Sequence, residues 1–143
     1  MSNFAATALS VTITDTATVT FNNDDTAAIA IADASGDEDA GAVTFTATLS
    51  NAVQGGFTVD VSTNDGTATT ADSDYTAVSG QTLTFTGTAS ETQTFTVTPT
   101  ADSAIEAAET VNIAMSNLAG TSLGVDISDT ATLTINNDDA DAT

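Results

Sequence analysis

The side chains in this sequence that could do chemistry are almost all carboxylates. Asp and Glu number 20, there is no Lys, Arg, His, Cys or Trp, and the formal net charge is -20. Many of the acids fall in short groups: Asp37-Glu38-Asp39; Asp65, Asp72 and Asp74; Asp102, Glu106 and Glu109; and Asp138-Asp139. Without His or Cys there is no zinc set, no Ser–His pair and no thiol nucleophile. Without a cation the chain cannot neutralise phosphates, so nucleic acid is excluded as a partner and anionic membrane surfaces are disfavoured. Paired carboxylates can hydrolyse glycosides beside a sugar cleft, but one Tyr and no base leave little to bind a substrate, and no enzyme is expected. Crowded carboxylates raise one another's pKa unless a hard cation accepts their oxygens. Calcium, which takes roughly six to eight oxygen ligands in flexible geometry, suits such a set. The competing reading is a solvated acidic surface that only keeps the protein soluble, and the position of the acids in the fold decides between the two.

Position follows from the strands. Hydrophobic residues make up 41% of the chain, and Thr alternates with them at the period of two that marks half-buried strands. The alternation predicts strands near 27–33, 42–50, 56–63, 82–86, 92–98, 109–115 and 125–136, with a helical turn over 103–108. Turn residues stand between them, as in Gln54-Gly55-Gly56 and Asn64-Asp65-Gly66. An all-β chain of seven short strands argues for an immunoglobulin-like antiparallel β-sandwich. If successive strands alternate in direction, the loops near 37–42, 65–74 and 102–109 and the end of the last strand share one pole. All four acidic groups then meet at that upper pole, whereas the loops at 50–55, 87–90 and 116–124 contain no acid. Asp15, Asp60, Asp126 and Asp129 fall outside the cluster and read as solvated, and Tyr75 reads as packed beside a loop.

The sequence also repeats. Residues 1–25 (MSNFAATALSVTITDTATVTFNNDD) recur with conservative changes as residues 115–139 (MSNLAGTSLGVDISDTATLTINNDD). The division expected is a segment over 1–25 equivalent to the end of a preceding repeat, a full repeat over 26–139, and 140–143 as the start of a further linker or repeat. The apolar face Leu9, Val11, Ile13, Val19 and Phe21 matches that of the last strand and has no sheet of its own to join. An exposed apolar edge is an association hazard, so the segment is expected to be disordered, paired within its own chain or inserted into a neighbour; insertion as a donor strand is the alternative to a tandem array. Asn23-Asp24-Asp25 and Asn137-Asp138-Asp139 are then successive interdomain junctions. No apolar run approaches the roughly 18 residues that cross a bilayer, and the N-terminus lacks the basic region of a signal peptide.

These motifs together resemble the Calx-beta domain, a calcium-binding sandwich that occurs in tandem in large bacterial surface proteins. Its elements here are Glu38 before Gly41, Asp65-Gly66-Thr67-Ala68 leading to Ser73-Asp74-Tyr75, Leu83-Thr84-Phe85, Asp102 with Glu106 and Glu109-Thr110, and Asn137-Asp138-Asp139. The resemblance implies Ca2+ as cofactor and Glu38, Asp74, Asp102, Glu106, Glu109, Asp138 and Asp139 as its ligands. Ala101 and Asn137 replace acids common in relatives, which implies fewer or weaker ions, in the range of roughly 10⁻⁴ to 10⁻³ M typical of extracellular modules. The function expected is a repeat of an extracellular or cell-surface bacterial fibre, adhesin or matrix protein that extends and rigidifies on calcium binding. Its partners are neighbouring repeats or copies of itself, with adhesion to a surface or glycan as a further alternative.

Overall fold

Alternation of Thr with apolar residues builds strands throughout, and the computed structural model, which describes residues 14–140, folds them into two sheets. In chain order the strands are β1 (Ala27–Ile31), β2 (Ala34–Asp37), β3 (Val43–Leu49), β4 (Phe57–Asp65) and β5 (Tyr75–Thr76), then β6 (Gln81–Phe85), β7 (Thr92–Pro99), β8 (Glu109–Ala119), β9 (Val125–Asp126) and β10 (Thr130–Asn136). One sheet has the order β5-β7-β3-β1-β9 and the other β2-β10-β8-β4-β6. Burial alternates along each long strand, so that Phe45, Ala47 and Leu49 of β3 face inward while Thr44 and Thr46 face water. Cross-strand neighbours stack in this core: Phe45 lies 5.2 Å from Phe95 and Phe57 lies 5.1 Å from Phe85, ring centre to ring centre.

Two expectations change in detail. The first and last strands each divide, β1 from β2 and β9 from β10, and the pieces pair in parallel, β1 with β9 and β2 with β10. This pair therefore leaves one sheet and enters the other together. Two carboxylates hold the crossing, Asp129 accepting from the Ile31 amide at 2.9 Å and Asp33 from the Thr132 amide at 2.8 Å. The helical turn expected over 103–108 is a loop, and no helix occurs among the described residues. The Asp102 carboxylate takes the Ala104 amide and Asn137 Oδ1 takes the Glu106 amide, so bonds outside a helix outweigh local propensity.

Three acids read as solvated are bonded. Asp60 accepts from Thr82 Oγ1 at 2.7 Å and from Asn117 Nδ2 at 3.0 Å, and these bonds, the Asn117 one first, hold its pKa below the ordinary value. Asp126 accepts from the Ser128 amide, and Asp129 closes the crossing just described. Asp15 is exposed.

At the lower pole Glu91 organises the turn after β6. Its carboxylate accepts from the amides of Thr86, Gly87 and Thr88 and from Thr86 Oγ1 at 2.8 to 3.2 Å. Those bonds, the Thr86 amide first, pull its pKa from 4.5 down to about 2. A carboxylate with a depressed pKa stabilises the fold above its ordinary pKa, and the gain is lost as pH falls through the folded value. Glu91→Gln is therefore expected to melt below the parent at neutral pH. The gap should close between 4.5 and about 2. Thermal melts across that range test this, and a gap that ignores pH would show that the charge of Glu91 is not responsible.

Candidate metal centre

The upper pole is formed by the turn after β2, the long connection from β4 to β5, the 100–108 loop, the start of β8 and the segment after β10. Each brings acid from a different stretch of chain. Carboxylate oxygens of Glu38, Asp102 and Asp139 lie within 4.8 Å of one another, and so do those of Asp74, Glu106 and Glu109. Glu38, Asp74, Asp102, Glu106 and Glu109 line a single cleft, together with Asn137. Of the seven acids expected to serve as ligands, six fall in these two triads. The seventh, Asp138, is in neither triad, with its amide and carboxyl toward Glu38 and its carboxyl also toward Asp39.

Backbone and side-chain bonds shape this arrangement. The Glu38 amide donates to the Asn136 carbonyl at 3.1 Å, which continues the β2–β10 ladder and turns the Glu38 side chain inward. Asp74 accepts from the Thr69 amide at 2.7 Å, and Tyr75, buried as expected, donates its hydroxyl to Asp65 at 2.7 Å. Asp65 also takes the Thr70 amide, so it shapes the loop. Asn137 accepts from the Glu106 amide and donates to the Asp139 carbonyl, tying the two triads together.

The electrostatics of the pole call for a cation. Glu38 is 7% exposed, and its Oε1, like Oδ2 of Asp139, is buried with no hydrogen-bond partner. Burial raises the Glu38 pKa, the Asp138 amide opposes it, and the charges of Asp139 and Asp102 raise it further. Glu109 is raised for the same reasons, burial first and then the charges of Asp74 and Glu106. A buried acceptor without a donor is costly. Two orphaned carboxylate oxygens among like charges, with only oxygen donors around them, fit a hard divalent ion that prefers oxygen.

The sequence profile of the Calx-beta domain matches residues 15–139. The chain belongs to the Calx-beta family. Calcium is the cofactor of that family, and the donor set of this domain is one it can use. Solved structures with the same fold include the apo-form Calx CBD1 domain, at 21% identity and a TM-score of 0.67, covering 79% of this chain and 98% of that one. CBD12 from CALX1.2 has 21% identity and a TM-score of 0.66, covering 78% of this chain and 44% of that one. The calcium binding domain CBD12 of CALX1.1 has 23% identity and a TM-score of 0.62, over 79% of this chain and 44% of that one. At these identities the likeness speaks for the fold. No curated protein sequence matches the chain.

At the other end of this Calx-beta domain, Asn23, Asp24 and Asp25 are exposed and lead directly into β1. Asn23 Nδ2 donates to the Asp25 carbonyl at 3.1 Å, the same bond that Asn137 makes to Asp139 at 3.0 Å. Val19 and Phe21 are 72% and 91% exposed, and no strand forms over 14–26. Leu9, Val11 and Ile13 lie outside the described residues.

Sequence reasoning missed Glu91, whose partners are backbone amides. The one signal available was its place immediately after Thr86-Gly87-Thr88-Ala89-Ser90, a turn-forming run with amides to satisfy.

Proposed function

We propose that this Calx-beta domain is a calcium-binding structural repeat of an extracellular bacterial fibre, adhesin or matrix protein, which extends and rigidifies the chain when calcium binds. Glu38, Asp102 and Asp139 would hold one ion, and Asp74, Glu106 and Glu109 a second, with Asp138 beside Glu38. The observation that carries this reading is the pair of orphaned oxygens, Glu38 Oε1 and Asp139 Oδ2, buried among acids that no cationic side chain can neutralise. The return of Asn-Asp-Asp at 23–25 and 137–139 supports the tandem arrangement, because the junction of one repeat is succeeded at once by β1 of the next. Calcium at the upper pole would then lie beside the neighbouring repeat and restrict the hinge between them.

Glu38→Gln separates the cost of the empty site from the gain on filling it. Removing a buried, unpartnered charge is expected to raise the melting temperature in chelator, while the increment added by calcium falls. A variant that melts lower in chelator and keeps the full increment would contradict a ligand role for Glu38. Calcium titration by calorimetry on the 143-residue chain gives the stoichiometry directly, with two ions expected.

The exposure of Val19 and Phe21 favours one further reading, a strand-exchanged fibre in which residues 9–21 complete a neighbour's sheet. Their counterparts in the repeat, Leu133 and Ile135, are buried core residues. Mass measurement in solution decides, since exchange requires dimers or polymers and a tandem fragment is a monomer.

A further inference from the structure

The lower pole holds a cavity of about 340 Å³, outside the acidic centre, with Val53, Leu123, Gly87 and Ala27 in its walls. Asn23 and Asp25 also line it. Across the molecule, at the upper pole, Ile105 projects from the 100–108 loop with 58% of its surface exposed, an apolar side chain among acids. Its neighbour Glu106 is fixed by its amide to Asn137 Oδ1. The counterpart of Asn137 one repeat earlier is Asn23, which makes the same bond to its own Asp-Asp pair and stands in the cavity wall. A preceding repeat that bonds its Glu106 to Asn23 as this one does to Asn137 would bring its own Ile105 to the mouth of the cavity.

We infer that the lower-pole cavity receives the 100–108 loop of a second copy of the repeat, the one preceding it in the chain, with Ile105 seated between Val53 and Leu123. This deepens the tandem calcium reading and rests on it, since the same loop carries Asp102 and Glu106. The contact buries an isoleucine that is otherwise in water and part of the half-exposed Leu123, which is 38% exposed. It couples the centre to the hinge: ordering the loop around an ion presents the apolar side chain that locks the next repeat.

The test uses a two-repeat protein, residues 1–139 followed by residues 26–143. The chain has no cysteine, so Thr94→Cys in each repeat, at an exposed position on β7, takes one spin label apiece for electron paramagnetic resonance distances. In millimolar calcium the parent is expected to give a single narrow distance distribution. Ile105→Ser in the first repeat, and separately Leu123→Ser in the second, should at least double its width. Calorimetry on the single 143-residue chain carrying Ile105→Ser should show calcium binding unchanged. Equal widths in the parent and both variants would overturn the docking while leaving the calcium reading intact. An absence of calcium heat in the single chain would overturn the calcium reading, and the docking would then stand or fall on the same comparison of widths in chelator.

Discussion

Millimolar calcium is expected to raise the melting temperature of the 143-residue chain, and excess chelator to reverse the rise. An ion bound only by the folded form adds RT ln(1 + [Ca]/Kd), roughly 2.7 kcal/mol at one hundred times Kd. For a domain of this size roughly 1 kcal/mol moves the midpoint by about 4 °C, so each ion should contribute about 10 °C. The gain is large because calcium removes a standing penalty: carboxylates in Glu38 and Glu109 whose pKa is raised by burial and by their acidic neighbours. Asp102→Ala and Glu109→Ala should each cut the increment substantially, since each opens one triad. Asp60→Ala is the control. It breaks a clasp between Thr82 and Asn117 and so lowers the baseline, but it lies on β4 outside both triads and should leave the calcium increment whole. Superimposable melts with and without calcium would remove the functional reading, and equal losses of increment in all three variants would remove the ligand assignment.

Gly87→Ala should be the most damaging single methyl group at the lower pole. Gly87 has a φ of +92°, and a Cβ there would overlap the Val53 carbonyl oxygen. That carbonyl cannot simply retreat, because the Val53 amide is bonded to the Gly87 carbonyl at 2.9 Å and the Gly87 amide to Glu91 at 2.9 Å. Left-handed backbone and overpacking together cost on the order of 3 kcal/mol, enough to lower the midpoint by more than about 10 °C. Gly124→Ala is the matched comparison: it also lines the lower cavity, has nothing within 4 Å of the added methyl, and should melt close to the parent. If the two glycine variants melted alike, the tight joint between Val53 and Gly87 would not be a structural requirement.

Much of the domain was legible in its pattern. Alternation placed β3, β4, β6, β7 and β8 to within a few residues, because one face of each is buried and the other wet. Strand parity then gathered the acids at one pole without any side-chain detail. The division into two triads was not readable, since Glu38 meets Asp102 and Asp139 only through the β2–β10 ladder, a pairing between the two ends of the chain. The crossing from the β1–β9 pair in one sheet to the β2–β10 pair in the other was hidden for a similar reason. Ala32-Asp33-Ala34-Ser35 does not reveal that Asp33 will serve Thr132, an amide nearly the whole repeat away. Asp60 read as a solvated acid until its partners were in place, and Glu91 drew no reading at all because its partners are backbone amides. Position in a pattern reports burial; it does not report which distant amide a carboxylate will find.

In the proposed tandem arrangement, the parallel pairing of the first and last strands has a mechanical meaning. β1 begins at the lower pole and β10 ends at the upper, so pulling on the two ends of the domain draws these strands past each other along their length. The β2–β10 ladder, Ala34 to Asp37 against Leu133 to Asn136, is then loaded in shear, with its bonds sharing the force instead of opening one after another. The short β1–β9 ladder is loaded in the same sense in the opposite sheet. Glu38 and Asp139 lie just beyond the upper ends of β2 and β10, so an ion held between them would join the two sliding strands where the pull enters the domain.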